Sequence, residues 1–546
     1  MSGQNFEIIE EPVAMANGTI GSVTKLVFTK ANCPELHKLM SHIVDEDDFY
    51  SDVVKRTPQS LAKYFDVIQA KASGDDFYLL PLAFYLADFF KDDIRKYENM
   101  SADGKIAFGF LSKIFTIGKK FATTYQGQLI GSMITATRVD VDMMGQHFNI
   151  CGKFTVGRGT EFMQEDRWFT IDEFKGAVYP KDLSIHIMTD EEETLLMNRG
   201  LRFRKYALGA NYLAYKGNMF VDTYFGPSYF RAEGRVMVDY NSHRTMNVNS
   251  HQQHGYYHGK QEKFNSIPDD LLYMTWPFLH GFSFFSKRWG EMYVDNLSDI
   301  VFDDNAFDLL VLDEGKKTLS KALVMNASLG FTDIISGKSG GCVFLLYGPP
   351  GTGKTLTSEA IAEFLHKPIY SITVGELGDD AQKLEDNLTR ILEIASSWGA
   401  VLLLDEADIF MEKRSTENIK RNAMVSIFLR LLERYSGVLF LTTNRATTID
   451  DAFKSRISAC IEYKVLDTES KRKVWVNLLR VAEITLIETG DLTQDEALDV
   501  LSELNLNGRE IKTAIRNAQC MALYEKKPVG FSHLMFAAGL NSVSLS

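Results

Sequence analysis

The stretch from Cys342 to Thr357, CVFLLYGPPGTGKTLT, restricts what this chain can fold into more than any other. Its first six residues, Cys342 to Tyr347, form an apolar run of strand length. A loop rich in Gly and Pro follows, and a helical pattern opens near Lys354. The loop satisfies G-x-x-x-x-G-K-[ST] at Gly348, Gly353, Lys354 and Thr355. Gly351 and Gly353 allow the backbone to bend so that successive N–H groups point inward at phosphate oxygens. The helix N-terminus behind them adds partial positive charge. Lys354 is expected to reach β- and γ-phosphates, and the Thr355 hydroxyl to ligate Mg²⁺. The nucleotide-binding candidates are therefore Gly348, Pro349, Pro350, Gly351, Thr352, Gly353, Lys354, Thr355 and Leu356. The alternative is a Gly-Pro turn that happens to hold Lys-Thr; the strand before it and the helix after it argue against that.

Beyond the loop, apolar runs of strand length alternate with helical patterns. The runs are Cys342–Tyr347, Pro368–Val374, Ala400–Leu404, Val438–Thr443 and Cys460–Val465. Such alternation predicts a parallel sheet with helices on both faces, and such sheets place ligands at the carboxyl ends of their strands. Ala400 to Asp408 is an apolar strand ending in carboxylates. Asp405 is placed to hold Mg²⁺, and Glu406 to act as general base toward a water. A strand ending in solvated acids is the other reading of this stretch. Val438 to Arg445 ends in Asn444, which can orient the water and touch a γ-phosphate. An Asn that merely opens a turn competes with that role.

With these residues assembled, Gly348-Pro-Pro-Gly-Thr-Gly-Lys-Thr, Leu404-Asp-Glu-Ala-Asp and Thr442-Thr-Asn-Arg resemble the Walker A, Walker B and sensor 1 motifs of AAA+ ATPases. The likeness is greatest to the main AAA clade and covers about residues 295 to 530. It implies an αβα nucleotide domain followed by a helical lid, ATP as ligand with Mg²⁺, and a homo-oligomeric ring, usually a hexamer. It also implies two further site residues. Arg456, in Asp451-Ala-Phe-Lys-Ser-Arg-Ile, would be an arginine finger reaching a neighbour's γ-phosphate. Arg509, in Asn505-Leu-Asn-Gly-Arg-Glu-Ile, would be the sensor 2 arginine of the lid. Their bland counterparts are an exposed Arg at a strand edge and an Arg in a first helical turn. Val301 and Phe302 are candidates for packing on adenine. Two departures stand out. The main clade usually has Ala at sensor 2. The loop after the second strand, Val374-Gly-Glu-Leu377-Gly378, has no aromatic with which to grip an extended chain.

Upstream, residues 1–120 are expected to be a helical region. Leu61 to Gln69 and Lys105 to Phe121 show helical spacing, and Phe77 to Phe90 reads as a buried helix too short to span a bilayer. The acidic cluster Asp45, Glu46, Asp47, Asp48 reads as a solvated face. Residues 121–265 have the texture of a β-rich accessory domain, with a helix near Glu191 to Arg199. Within it Arg202, Arg204 and Lys205 read as a solvated strand face rather than an anion site. Asn241 to Lys260 holds His243, His251, His254 and His258 and reads as a flexible linker rather than a metal site. Segments such as Asn198 to Phe203 and Tyr212 to Gly217 resemble a group of AAA+ proteins common in fungi, in which a β-rich domain precedes the ATPase. Residues 266–340 form a lead-in whose aromatic-rich part, Ile267 to Trp289, is expected to pack on the module after it. The ATPase core is expected at 341–466 and the lid at 467–546. The fold class is therefore α/β, with β-rich and helical regions ahead of a P-loop module.

The formal net charge of −13 disfavours nucleic acid as partner. The five scattered cysteines and an N-terminus without a signal-peptide core point to a soluble intracellular protein, cytoplasmic or nuclear. No membrane segment is expected. Two functions compete: a ring ATPase that remodels an unknown protein partner, and an ATP-gated scaffold that does little mechanical work.

Overall fold

The computed structural model describes residues 5–14, 20–44, 51–74, 76–143, 145–247, 262–326, 341–378, 380–411, 419–445, 451–484 and 493–542. The chain folds as two compact units. One comprises residues 1–156, 161–205 and 259–277, and the other 157–160, 206–258 and 278–546.

The second unit contains the parallel sheet. Its strands are β1 (Cys342–Tyr347), β2 (Ile369–Ile372), β3 (Val401–Leu404), β4 (Val438–Thr443) and β5 (Ala459–Glu462), in spatial order β2-β3-β4-β1-β5. Strand β1 pairs in parallel with both β4 and β5, and β3 lies between β2 and β4. The middle strands read as unbroken apolar runs because both their faces are covered. Every residue of β3 and β4 is buried, and Phe344 stacks on Phe440 at 4.7 Å. Helix α1 (Lys354–Phe364) follows β1 directly. Helix α2 (Ala381–Trp398) is opened by the Asp380 side chain, which accepts from the Lys383 N–H. It buries Leu384, Leu388, Leu392, Ala395 and Trp398 along one stripe. Gly399 in left-handed conformation, φ 59°, ends it.

Among the described residues four helices follow the sheet: α3 (Thr468–Val481), α4 (Gln494–Glu503), α5 (Gly508–Glu525) and α6 (Phe531–Ser542). They share a core built on Trp475, Leu501, Ile511, Ala514, Leu534 and Ala537. Both α4 and α5 begin with complete capping boxes, Thr493 with Glu496 and Asn507 with Glu510.

The same unit holds a seven-stranded antiparallel sheet. Its order is Gly226–Arg231, Asn218–Thr223, Arg288–Tyr293, Phe278–Ser283, Gly234–Val238, Asn211–Tyr215, Leu297–Ser298. This sheet packs on the parallel one through rings. Phe282 stacks on Tyr370 of β2 at 5.5 Å and lies 5.7 Å from Trp398, while Trp289 is 5.8 Å from Trp398. The Trp398 indole N–H donates to Asp239 at 2.8 Å, and Arg235 pairs with Glu363 of α1 at 3.0 Å. The packing expected of the aromatic lead-in is thus made by its second half.

The first unit carries a six-stranded sheet, with order Lys263–Phe264, Phe162–Asp172, Gly145–Gly157, Gln128–Asp142, Lys120–Tyr125, Ile185–Ile187. The β-rich region is therefore two sheets belonging to two units, which local texture does not separate. Residues before 120 include the expected helices, but also a three-stranded antiparallel sheet of Glu7–Ala14, Ile20–Thr29 and Val53–Arg56. Its third strand is four residues long and pairs far along the sequence, beyond the reach of local periodicity.

Four smaller expectations need correction. Phe77 to Phe90 is not buried throughout: Leu79, Leu82 and Leu86 face the core, while Phe84 is 71% exposed. Lys105 to Phe121 breaks into two short helical turns and the start of a strand. Arg202, Arg204 and Lys205 lie on a helix, Asp190–Tyr206, where Arg204 pairs with Asp269 at 2.6 Å. His243 sits in a helix, Tyr240–Met246, capped by Asp239, rather than in a linker. Its ring stacks on His280 at 4.6 Å. His251, His254, His258 and the cluster Asp45 to Asp48 lie outside the described residues. Among the described residues no helix is long and apolar enough to cross a membrane.

Candidate nucleotide site

The site is built where β1, β3 and β4 end. The loop from Gly348 to Gly353 leaves β1 and enters α1. At Gly348, φ is 142° and a Cβ would sit 2.0 Å from the Tyr463 carbonyl oxygen, so only glycine fits. At Gly351, φ is 73° and a Cβ would sit 2.4 Å from the Asn507 side-chain oxygen. Pro349 and Pro350 form the exposed crest, and the Thr352 hydroxyl donates to the Pro349 carbonyl at 2.9 Å. Leu356 points away, 54% exposed.

Lys354 is only 8% exposed. Its ammonium donates to the Gly348 and Pro349 carbonyls, each at 2.7 Å, and to Asn444 Oδ1 at 2.8 Å. Burial pushes its pKa below the usual lysine value, with Asp405 and Asp408 pulling the other way and Arg509 adding to the depression. A buried ammonium held by neutral acceptors is poised to exchange them for anionic oxygens. The Thr355 hydroxyl lies 3.5 and 3.4 Å from the two Asp405 carboxylate oxygens. A hydroxyl beside a carboxylate is the hard-oxygen donor set that suits Mg²⁺.

Beyond β3 the chain turns sharply. Glu406 is in the left-handed region, φ 55°, a conformation worth roughly 1–2 kcal/mol of strain for a residue with a side chain. Two bonds to β4 hold it: the Glu406 N–H donates to Thr442 Oγ1 at 3.0 Å, and the Ala407 N–H to the Thr442 carbonyl at 2.9 Å. The Thr442 hydroxyl donates to Asp405, and that of Thr443 to Asp408. The Glu406 side chain is exposed at the mouth of this turn.

The start of α5 meets the loop directly. The Gly508 N–H donates to the Gly351 carbonyl at 2.9 Å. Arg509, next in α5, is close enough for its charge to act on Lys354. Arg456 has its guanidinium paired within this chain to Glu433, Nε to Oε1 at 2.8 Å. Val301 is 91% exposed, and Phe302 stacks on His366 at 4.3 Å. Leu377 is fully buried in the core, so it presents nothing to a passing chain.

Lys354, Thr355, Asp405, Glu406, Asn444 and Arg509 are thus gathered around one loop. Sequence reasoning gave no role to Thr442, Asp408 or Asn507. Asn507 was legible as a cap, since Asn-x-x-Glu precedes a helical run. A threonine closing an apolar strand carries no such signal.

Residues 344–465 match the model of the ATPase family associated with various cellular activities (AAA). This chain carries an AAA domain. The human ATPase family AAA domain-containing protein 3B is 34% identical over 140 residues, 24% of this chain and 21% of that protein. A 26S proteasome regulatory subunit homolog of Methanothermobacter marburgensis is 28% identical over 209 residues, 35% of this chain and 53% of that protein. Its counterpart in Methanothermobacter thermautotrophicus is 29% identical over 216 residues, 37% of this chain and 55% of that protein. The chain thus spans between about a fifth and just over half of the length of these relatives.

Proposed function

We propose that this AAA protein hydrolyses ATP to ADP and phosphate at sites shared between subunits of a homo-oligomeric ring, and uses the cycle to remodel a protein partner. The observation that carries the hydrolysis reading is the convergence on one loop of Lys354, Asn444, Thr355 and Asp405, drawn from three strand ends. Lys354 and the loop amides would bind the phosphates. Thr355 and Asp405 would hold Mg²⁺, which when bound neutralises charge on the phosphate oxygens. Glu406 would take the proton of the attacking water, and Asn444 would orient that water. Arg509 would contact the nucleotide from the lid. Arg456 would leave Glu433 for the γ-phosphate of a neighbouring subunit.

The test is ATPase rate against protein concentration for wild type, Glu406→Gln and Arg456→Ala, with assembly followed by light scattering. Activity that rises with a ring-sized species and collapses in both variants is the expected result. Flat activity from a monomer that ignores Arg456 would remove the shared site. Glu406→Gln turning over at the normal rate would remove the general base.

A second reading, an ATP-gated scaffold, is favoured by one observation: Leu377 is buried where an aromatic would be needed to pull a chain. Partner binding that saturates in a non-hydrolysable ATP analogue and needs no turnover would select it.

A further inference from the structure

We infer that Thr442 is a positioning residue that sets both Asp405 and Glu406 for the reaction; the inference rests on the ATP-hydrolysis reading above. Strand β3 ends its ladder with β4 at Leu404, opposite Leu441. The next three residues carry the metal and base candidates beyond that ladder. On the β2 side, the Asp405 N–H donates to the Ile372 carbonyl at 3.2 Å. On the β4 side they are held by Thr442, through its hydroxyl to Asp405 and Glu406 and its carbonyl to Ala407.

The hydroxyl of Thr442 is used in both directions. It has one proton, which it gives to the Asp405 carboxylate, and it accepts the Glu406 N–H at 3.0 Å. Donating to one carboxylate oxygen fixes the rotation of the Asp405 carboxylate, whose oxygens lie 3.4 and 3.5 Å from the Thr355 hydroxyl. Accepting from Glu406 holds a backbone that would otherwise relax from φ 55°. Thr442 is 1% exposed in a strand that is buried throughout. Valine would fill that volume equally well, so packing alone does not call for a hydroxyl there.

The experiment compares Thr442→Val, Thr442→Ser and wild type by steady-state ATPase kinetics. A fluorescent ADP analogue is titrated in parallel, once in EDTA and once with Mg²⁺. The valine variant is expected to lose kcat roughly 10- to 100-fold with KM for ATP nearly unchanged, the scale of misplacing a reacting group by a fraction of an ångström. Serine should restore the rate to within about threefold. In EDTA all three should bind the analogue alike, and the gain in affinity on adding Mg²⁺ should shrink in the valine variant alone.

Wild-type kcat in Thr442→Val would overturn the proposal, and so would a serine variant as slow as the valine one. Lost affinity in EDTA would reduce Thr442 to a structural role and overturn it too. If the valine variant unfolds, Thr442→Ala against Thr442→Ser applies the same criteria. If wild type itself shows no turnover, the hydrolysis reading fails on its own. The Mg²⁺-dependent affinity step then decides the placing of Asp405 alone: its loss with valine and retention with serine support that part, and equal steps in all three overturn the proposal.

Discussion

The two sheets of the second unit spend their polar residues differently. In the parallel sheet they collect at one edge, where β1, β3 and β4 end, and several face open solvent or carry only neutral partners. Lys354 rests on carbonyl and amide oxygens, and Glu406 is exposed. Around the antiparallel sheet, Asp239 and Arg235 are instead paired inside the protein. Asp239 accepts from Ser242 N–H at 3.0 Å, from the Ser242 hydroxyl at 2.6 Å and from Trp398 at 2.8 Å. Arg235 faces Glu363. Groups with spare bonding capacity are available for a ligand; groups paired across two elements hold those elements together. Substitutions in the first set should therefore change rate and leave stability alone. Substitutions in the second set should do the reverse.

The strongest challenge is Arg456→Ala. It should lower turnover by about 10³–10⁵, as removal of an arginine finger does, with a stability loss of no more than about 1 kcal/mol from its partly exposed pair with Glu433. A full rate would leave Arg456 as nothing more than the partner of Glu433. Glu406→Gln should follow, with a loss of about 10²–10⁴ in kcat and retained nucleotide affinity; calorimetric titration with ATP measures the second half of that claim. Across the unit, Trp398→Ala should lose about 3–5 kcal/mol from the unfolding transition of this unit, read by denaturant titration. A drop below about 1 kcal/mol would mean that the ring cluster between the sheets carries little energy. Asp239→Asn should be milder, about 1–3 kcal/mol, because its amide can replace only some of the three accepted bonds.

The smallest effect is a pH dependence, and it separates binding from folding at one residue. Burial holds the Lys354 pKa below its ordinary value of 10.5. The folded protein therefore releases that proton before the unfolded chain does. The lysine's contribution to stability should rise as pH climbs from its folded pKa toward 10.5. Affinity for ATP should fall over the same window, because the neutral amine no longer attracts phosphate. Nucleotide Kd against pH checks this, and a constant Kd through the window would contradict it.

The parallel sheet was legible because its central strands are covered on both faces and leave continuous apolar runs. Cys342–Tyr347 and Val438–Thr443 carry the same bounds in sequence and structure. The phosphate loop was legible because its glycines answer to backbone constraints, as the crowding at Gly348 and Gly351 shows. Elsewhere the controlling partners are remote in sequence. The three-stranded sheet near the N-terminus depends on pairing Leu26 with Arg56. The seven-stranded sheet needs Val236 beside Ser283. Thr442 was in plain view within a quoted motif, but a β-branched residue in a strand needs no further explanation until its hydroxyl is seen between Asp405 and Glu406. Arg456 rests on resemblance, since its proposed target belongs to another subunit.

The ring cluster around Trp398 also governs where this protein can be cut. A fragment beginning at Gly341 would lose Phe282, Phe284 and Trp289, and with them the cover over Tyr370 and Trp398. It would also leave the Trp398 indole without Asp239. Newly bared aromatic surface of that kind promotes self-association, so an ATPase fragment trimmed to its motifs should be sticky. Recombination between related chains meets the same barrier: exchanging one sheet without the other would pair surfaces that were never shaped together.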